Sequence, residues 1–310
     1  MRNAFAAELC GLAAHDERIA LISSDIGNNL FNEFRERFPS RFMNCGIAEA
    51  AMTGIAAGMA LCGLKPVTYT IASFNPGRCV EQIRLDICLH NLPVVIVGVG
   101  AGLSYASLGP THHALEDIAW LRAIPGMTIL CPADAVETRC ALRAALAHDG
   151  PVYLRLGKKN EPAVHAGEPD FEIGRNIPLR GGEDACILAV GTVTPTALDA
   201  ARLLEERSIS CAVTGIHTVK PLDTDSLRSV FARYPVVMVM EEHGPVGGTW
   251  SAIAEWAAEQ NVGTGRLLRC AAPDRFFFEG GGQNWARKRF GIDAEHAALR
   301  IADALRAVRP

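Results

Sequence analysis

The sequence lacks the features of a nucleic-acid-binding or membrane protein. Its 30 Lys and Arg residues are outnumbered by 34 Asp and Glu residues, and the formal net charge of -4 creates no field that would gather a polyanion. No hydrophobic run approaches the roughly 18 residues of a membrane span. The N-terminal residues have an amphipathic pattern instead of a charged segment followed by an apolar core, so no signal peptide is visible. We expect a cytoplasmic protein that binds neither nucleic acid nor membrane.

Aromatic residues are scarce and the cysteines are isolated from one another. Phe, Trp and Tyr make up 6% of the chain, which disfavours an all-β sandwich. No two of the 10 cysteines have C-x-x-C spacing, and no Cys and His residues cluster as a structural zinc site requires. We expect reduced, mostly buried thiols, and we predict no metal ligand in this chain.

Glycine-rich nucleotide-binding motifs are also missing. Gly98, Gly100 and Gly102 follow an apolar run, but neither a G-x-G-x-x-G helix start nor the Lys-Ser/Thr of a P-loop comes after them. The sequence therefore argues against a dinucleotide fingerprint and against a P-loop.

Short apolar segments alternate with segments of helical periodicity. The apolar segments predicted to be strands are Ile19–Ser23, Val67–Ile71, Val94–Gly100, Thr128–Cys131, Cys186–Gly191, Ser210–Thr214 and Val236–Met240. Asp134 and Glu137 form a capping box that predicts a helix over Ala135–His148, and Pro195 predicts the start of a helix over Thr196–Glu206. Because such apolar strands need cover on both faces, we predict an α/β fold of mainly parallel sheets flanked by helices.

The length of 310 residues favours two domains, at about 100–200 residues per domain. The stretch Leu156–Arg175 contains prolines and lysines but no sustained apolar period, which is typical of a linker. We predict a first domain over 1–157, a linker over 158–176 and a second domain over 177–310.

Two segments contain candidate catalytic or binding residues. Glu49 is the one acid in Asn44–Ala60, a helix start rich in Gly and Ala. If its carboxylate is buried there, it needs a partner. If it is exposed, it complements the helix dipole. In Gly109–Arg122, a Gly-Pro turn delivers His112 and His113 to a helix start. Adjacent histidines point to different sides, so at most one faces a given site, and a structural His remains an alternative.

The chain as a whole resembles the transketolase family. The segments that resemble its pyrimidine-binding domain are the two above together with Ser23–Asp25, Phe74–Arg84 and Pro132–Glu137. Those that resemble its C-terminal domain are Cys186–Leu204, Val219–Asp223 and Val237–Gly248. The matches cover nearly the whole chain in the family's order, so the resemblance implies a pyrimidine-binding domain for thiamine diphosphate followed by a transketolase C-terminal domain.

The resemblance implies a role for residues around the cofactor. Glu49 would be catalytic, its buried carboxyl with a raised pKa hydrogen-bonding the aminopyrimidine nitrogen. Phe74 would stack on the pyrimidine, with a core Phe as the alternative. Arg78 would also contact the cofactor. Asp25 would lie at the subunit contact around it, with helix capping as the alternative.

The resemblance also implies the substrate contacts. His112 would act catalytically by touching the substrate or donating to a developing alkoxide, with His113 as its neighbour. Asn29 is assigned to the same substrate site. Arg155 would bind a sugar phosphate at the mouth of the site with Lys158 close by, and a solvated basic linker is the alternative for both.

One family feature is missing from the sequence. No Gly-Asp-Gly motif is present to hold the diphosphate and Mg²⁺. The resemblance therefore implies the carboxy-terminal subunit of a split transketolase, with metal ligands from an amino-terminal partner subunit and a two-plus-two heterotetramer. The implied reaction is transfer of a two-carbon ketol unit from a phosphorylated ketose to an aldehyde.

The sequence departs from fused transketolases near the Gly-Pro turn. Gly100 and Ala101 stand where those enzymes carry a His-Asp pair, and Leu108 replaces an Asp. These differences favour a specialised donor or acceptor. Two other interpretations stay open: the β subunit of a 2-oxo-acid decarboxylase or dehydrogenase complex, and a non-catalytic partner subunit.

Overall fold

Parallel strands and the helices between them build two layered domains in the computed structural model of the protein. The structure describes residues 1–27, 29–158, 160–260, 262 and 265–308. The strands are β1 (Ile19–Ser23), β2 (Phe42–Asn44), β3 (Lys65–Ile71), β4 (Val95–Val99), β5 (Thr128–Leu130), β6 (Val152–Leu156), β7 (Ile177–Arg180), β8 (Ala185–Val190), β9 (Cys211–Ile216), β10 (Thr218–Lys220), β11 (Val236–Met240) and β12 (Arg266–Cys270).

Helices cover the faces of the sheets. They are α1 (Arg2–Ala13), α2 (Asn32–Arg37), α3 (Glu49–Leu61), α4 (Asn75–Gln82), α5 (Asp117–Arg122), α6 (Ala135–Ala147), α7 (Thr194–Glu205), α8 (Thr224–Arg233), α9 (Thr249–Glu259), α10 (Gln283–Phe290) and α11 (Ala294–Val308). A π-helical segment, Ile83–Cys88, continues α4.

Each domain has its own sheet. Over the described residues, the first sheet has the order β10-β5-β6-β4-β3-β1-β2 and the second the order β12-β11-β8-β9-β7. All pairings are parallel except those of β10 with β5 and of β7 with β9. The predicted α/β fold of mainly parallel, helix-flanked sheets is confirmed.

Local sequence signals set several element boundaries. Asp134 Oδ1 accepts hydrogen bonds from the N–H groups of Val136 (2.8 Å) and Glu137 (2.9 Å), so the predicted cap does begin α6. Pro195 lies in the first turn of α7, which begins at Thr194 rather than at the predicted Thr196, because the fixed φ of proline suits a helix start. The strands predicted over 19–23 and 236–240 have those bounds.

Strand β10 was not expected from the sequence. It follows β9 of the second sheet but pairs antiparallel with β5 of the first, with Thr218 opposite Leu130. The Cys131 N–H also donates to the His217 carbonyl oxygen at 2.7 Å. The predicted division between 157 and 177 falls between β6 and β7. Strand β10 follows this division in the sequence, yet it completes the first sheet.

The core is continuous between the domains. One cluster of buried side chains includes Ile96 and Tyr153 of the first sheet together with Leu188 and Val237 of the second. Cysteines contribute to it as apolar side chains: the ten are free thiols, of which Cys62 is exposed and Cys45 is half-buried. None of the described helices combines the length and apolarity that a bilayer crossing requires.

Candidate active site

The carboxyl ends of neighbouring parallel strands gather the candidate residues at one edge of the first sheet. Asp25 follows β1, Glu49 follows β2, Phe74 follows β3, His112 follows β4 and Lys158 follows β6. In open α/β sheets, ligands bind at this edge. The sheet order therefore brings together residues that are far apart in the sequence.

Glu49 begins α3 and its side chain is buried. It is 4% exposed, and its Oε2 accepts a hydrogen bond from Arg78 Nη1 at 2.8 Å. The exposed first-turn glutamate considered as an alternative does not fit this position. Arg78 lies on α4 with about half of its side chain exposed, so the ion pair has one buried and one solvated partner.

The pKa of Glu49 differs from the prediction. Burial of the carboxyl acts to raise its pKa, but the hydrogen bonds from Arg78, from its own backbone N–H and from Ser24 together lower it below its ordinary value. The predicted raised pKa is therefore wrong for this chain by itself. The resemblance implied a buried carboxyl but not that the cation twenty-nine residues away would pair with it.

Phe74 is half-buried at the start of α4 and has polar neighbours on its ring. The Arg78 guanidinium lies 4.2 Å from the ring centroid, and the His112 ring packs edge-on with centroids 5.2 Å apart. Phe74 is therefore not a core residue. Glu49, Arg78, Phe74 and His112 form a contiguous row, which we call the carboxylate-imidazole row.

The two histidines of the Gly-Pro turn face different surroundings. His112 is half-buried, its Nδ1 lies 2.9 Å from Thr111 Oγ1, and burial lowers the pKa of its ring. His113 is buried with Nε2 3.4 Å from the Ala106 carbonyl, and it lines a separate cavity of about 280 Å³ with Phe277. Only His112 faces the row, as the opposite orientation of adjacent residues requires.

Asp25 lies at the end of the row on an exposed loop. Its backbone has a φ of +42°, and its carboxylate accepts from Asn44 Nδ2 at 3.3 Å. Asn44 Oδ1 in turn accepts from the N–H of Gly46 at 2.9 Å, in the loop that leads into Glu49. Asp25 caps no helix, because α2 begins only at Asn32.

Arg155 does not occupy the predicted position at the mouth of the site. It is 3% exposed in β6, where Nε and Nη2 donate to the two carboxylate oxygens of Asp117 at 2.7 and 3.0 Å. Nη2 also donates to the carbonyl oxygens of Ala114 and Glu242. A buried guanidinium with these partners cannot reach a phosphate in solvent, and it is not a solvated linker residue either.

Lys158 is an accessible cation beside the row. It is half-buried, and its Nζ lies 4.9 Å from the ring centroid of Tyr105, whose ring centroid is 6.3 Å from that of His112. Tyr105 also packs over Gly100, since a Cβ at Gly100 would lie 2.1 Å from the tyrosine ring. The position that the resemblance compares with a histidine is thus covered by Tyr105.

Asn29 lies outside this row. It is exposed and lines an open cavity of about 410 Å³ with residues of α1 and α2, among them Arg2, Asn3 and Glu33. No residue of the carboxylate-imidazole row lines that cavity. The structure therefore does not bring Asn29 to the other predicted substrate contacts.

Sequence reasoning missed Tyr105, Asn44 and Glu242. Glu242 follows β11 directly and contacts the loop before His112. A pair of acids immediately after an apolar strand is a detectable signal, because the carboxyl end of a parallel strand is where functional loops begin. Tyr105 and Asn44 lie in short loops without a spacing pattern that would single them out.

In the part of the chain that the structure describes, no group of three His, Cys, Asp or Glu residues could hold a metal ion.

Comparison with protein families agrees with the fold. Residues 1–163 match the family model described as transketolase, pyrimidine binding domain, and residues 174–296 match transketolase, C-terminal domain. The chain belongs to the transketolase family.

Individual relatives include both half-length and full-length proteins. A provisionally named transketolase C-terminal section of Methanocaldococcus jannaschii is 33% identical over 99% of this chain and 96% of its own length. The 1-deoxy-D-xylulose-5-phosphate synthase of Magnetococcus marinus is 40% identical, but this chain spans only 48% of it. A split gene transketolase solved as an inactive beta4 tetramer matches with a TM-score of 0.89 and 33% identity, covering 99% of this chain and 98% of that one.

Proposed function

We propose that this chain is the carboxy-terminal subunit of a split, thiamine-diphosphate-dependent transketolase. It transfers a two-carbon ketol unit from a phosphorylated ketose to an aldehyde acceptor. The observation that carries the proposal is the carboxylate-imidazole row, in which a buried acid, a half-exposed aromatic ring and a histidine meet at the carboxyl edge of a parallel sheet.

The residues present fit the aminopyrimidine of the cofactor. A buried carboxyl can hydrogen-bond a ring nitrogen, and the half-exposed Phe74 ring offers a face of matching size next to Arg78. Glu49, Phe74 and Arg78 would hold this end of the cofactor, with Asp25 near the subunit contact. When bound, thiamine diphosphate supplies the carbanion chemistry that no side chain provides.

The side chains of this subunit then have separate tasks. Glu49 holds a proton at its carboxyl once Arg78 gives way as its hydrogen-bond partner, since loss of that contact removes the strongest of the hydrogen bonds that oppose the effect of burial on its pKa. His112 has a lowered pKa and lies where it can donate to, or accept from, a substrate hydroxyl. Lys158 provides the positive charge for a substrate phosphate.

A partner subunit is part of the proposal. The chain spans about half of the synthase relative but nearly all of the archaeal section, as half of a divided enzyme would. Ile47, adjacent to the start of α3, is 78% exposed, and Met43 of the preceding strand β2 is 44% exposed. Such apolar side chains next to a buried acid suit a contact with an amino-terminal subunit carrying a Gly-Asp-Gly motif and the Mg²⁺ ligands.

Reconstitution tests the proposal. This chain alone should show no ketol transfer, whereas mixing it with the amino-terminal subunit, thiamine diphosphate and Mg²⁺ should give a larger complex that transfers a ketol unit. Size-exclusion chromatography and a coupled ketose assay measure the two effects. Turnover by the single chain would rule out the split-subunit arrangement.

A substitution at Glu49 tests the site within that complex. Glu49→Gln should assemble normally but lose about 10²–10⁴-fold in turnover, because it removes the group that holds the proton. Glu81→Gln, at an exposed residue of the neighbouring helix α4, is the control and should keep the wild-type rate. Equal rates for the two variants would remove Glu49 from the mechanism.

The synthase relatives support one second candidate. At 40% identity over 97% of this chain, the Magnetococcus marinus synthase is named for a reaction other than that of a transketolase, and the 2-oxo-acid donor left open by the sequence is therefore kept as the second candidate. A complex that consumes pyruvate and releases CO₂ but does not use ketose phosphates would favour that candidate. Transfer from ketose phosphates without CO₂ release would favour the transketolase reaction.

A further inference from the structure

The loop that carries His112 is tied to the second domain. We call residues 102–115 the histidine loop. Its two ends pair with each other, as the N–H of Gly102 donates to the Ala114 carbonyl at 3.1 Å and the reverse bond is 2.9 Å. The N–H of Gly244 in the second domain then donates to the Leu115 carbonyl at 2.7 Å. The shape of the histidine loop thus depends on the segment that follows β11.

Glu242 is the centre of this contact and is fully buried. Its carboxylate accepts from the backbone N–H of Leu103 at 3.3 Å and from Thr192 Oγ1 at 3.3 Å. Gln283 Nε2 donates to both carboxylate oxygens at 3.1 and 3.0 Å, and Arg287 Nε donates to Oε1. One carboxylate thereby joins the histidine loop to α10 and to the loop before α7.

The approach of Glu242 to the loop is close enough to require glycine. Gly102 has a φ of +58°, and a Cβ there would lie 2.4 Å from the Cβ of Glu242. Only a residue without a side chain allows both that backbone conformation and that contact. The fit indicates a loop held in one defined position rather than packed loosely.

We infer that Glu242 is a positioning residue for His112. The inference deepens the proposed function and rests on it: the carboxylate holds the first end of the histidine loop, so that Tyr105 keeps its place beside His112 and His112 keeps its place beside Phe74. Glu242 itself touches neither substrate nor cofactor. The C-terminal domain thereby contributes to catalysis through the geometry of a loop in the first domain.

The neighbouring Glu241 offers a matched control. It is 1% exposed at the same strand end, but its carboxylate accepts from the N–H groups of Thr249 (2.7 Å) and Trp250 (2.9 Å) at the start of α9. Glu241→Gln therefore weakens a buried carboxylate network that lies within the second domain. Glu242→Gln weakens one that reaches the histidine loop.

Kinetics of the reconstituted complex distinguish the two variants. Glu242→Gln should lower kcat/KM for the ketose about 10- to 100-fold, since small misplacements of a substrate contact have effects of that size. Its affinity for thiamine diphosphate should stay within about twofold, because Glu49 and Phe74 are not on the histidine loop. Glu241→Gln should keep kcat/KM. An unchanged kcat/KM in Glu242→Gln, or equal losses in both variants, would overturn the inference.

A second variant covers the case in which Glu242→Gln does not fold. Gln283→Ala removes the amide that reaches both Glu242 and Ser104 Oγ (3.4 Å) without leaving an unpaired buried charge. It should reduce kcat/KM in the same direction. A Gln283→Ala complex with wild-type kinetics would count against positioning through this network.

Hydrogen exchange on the full chain separates this inference from the proposed function. Even if no ketol transfer were found, the amides of Leu103 and Ala114 should exchange faster in Glu242→Gln than in the wild type or in Glu241→Gln. Unchanged protection of these amides would overturn the positioning role directly. Faster exchange together with an inactive wild-type complex would leave positioning supported and the proposed function rejected.

Discussion

At the scale of single residues, Arg155 and Lys158 show how neighbouring cations acquire different roles. The Arg155 guanidinium is held by the carboxylate of Asp117, which is 0% exposed, and by carbonyl oxygens from both domains. The Lys158 ammonium lies 4.9 Å from the ring centroid of Tyr105, and its side chain is half-buried. The first cation is a structural ion pair, and the second is available to an anion.

The two residues should respond differently to removal. Lys158→Ala should raise the KM of the reconstituted complex for a phosphorylated ketose about 10-fold or more with little change in kcat, since a charged hydrogen bond contributes roughly 1.5–3 kcal/mol. Arg155→Ala should instead destabilise the chain by about 3–5 kcal/mol, because Asp117 is left buried and unpaired. Steady-state kinetics and urea unfolding measure the two effects.

Unphosphorylated ketoses provide the control for Lys158. Their KM should be nearly the same in Lys158→Ala and in the wild type, as no phosphate is present to lose a contact. If Lys158→Ala changed neither KM, a substrate phosphate would have to bind elsewhere.

These residues also show the limit of inference from sequence at this scale. Glu49, Phe74 and His112 could be selected because their segments resemble the transketolase family, and the structure brings the three side chains together. The burial of Arg155 could not be predicted, because the Gly-Lys-Lys shortly after it is typical of a solvated linker and its partner Asp117 lies in a separate element, the helix α5. The pairing of Arg78 with Glu49 depends on how α4 packs beside α3, which no local pattern records.

At the scale of elements, the turn after β4 is shaped by one glycine and one tyrosine. Gly100 has a φ of +88°, and a Cβ at this position would lie 2.1 Å from atoms of the Tyr105 ring. Gly63 has nearly the same φ, +86°, but has open space where a Cβ would lie. Comparing substitutions at Gly100 and Gly63 therefore separates the cost of a positive φ from the cost of a clash with a neighbouring side chain.

Alanine at each position should therefore give different losses. Both variants should lose about 1–2 kcal/mol of unfolding free energy, because alanine is strained at positive φ. Gly100→Ala should lose more, and its complex should show a raised KM, since Tyr105 must move away from Lys158 and His112. Urea unfolding and ketose kinetics test this, and equal behaviour of the two variants would contradict the packing of Tyr105 over Gly100.

Helices and strands could be predicted from the sequence where the residues within them set their bounds. Continuous apolar segments such as 236–240 and a capping residue such as Asp134 define strands and helices locally. β10 has three residues, Thr218–Lys220, and becomes a strand only because β5 offers an unpaired edge. Such an element is set by tertiary contact, and its sequence alone is too short to indicate it.

At the scale of the whole molecule, His217 lies where the two domains and the linker meet. It is 1% exposed, and its ring stacks on Phe171 with centroids 3.9 Å apart. Its Nδ1 lies 2.9 Å from Thr218 Oγ1, and among the described residues its Nε2 has no hydrogen-bond partner. Burial, reinforced by the charge of His165, lowers the pKa of His217 to about 4.

This histidine should make the stability of the chain fall in mild acid. His217 binds a proton near pH 6.5 in the unfolded chain but only near pH 4 in the folded chain. The unfolding free energy is therefore at its full value above about pH 6.5 and decreases as the pH falls toward 4. Between pH 7 and pH 5 the loss should be about 2 kcal/mol. Urea unfolding at the two pH values measures it.

His217→Gln should remove that part of the pH dependence, and His90→Gln, at an exposed residue, should retain it. The raised pKa of His165, caused by its hydrogen bond to Glu137, acts in the opposite direction but is common to all three proteins. If His217→Gln lost as much stability as the wild type on acidification, the acid sensitivity would arise at another group.

The antiparallel strand β10 has a consequence for synthesis of the chain on the ribosome. Ribosomes release the N-terminal half first, and domains generally begin to fold as they emerge. Here the edge of β5 stays unpaired until Thr218 has been translated, well after β6 is complete. An exposed strand edge is a template for pairing with another chain. The nascent first domain therefore keeps an open edge at β5 until strands β7 to β9 of the second domain have been made, because the segment that closes this edge follows them in the chain.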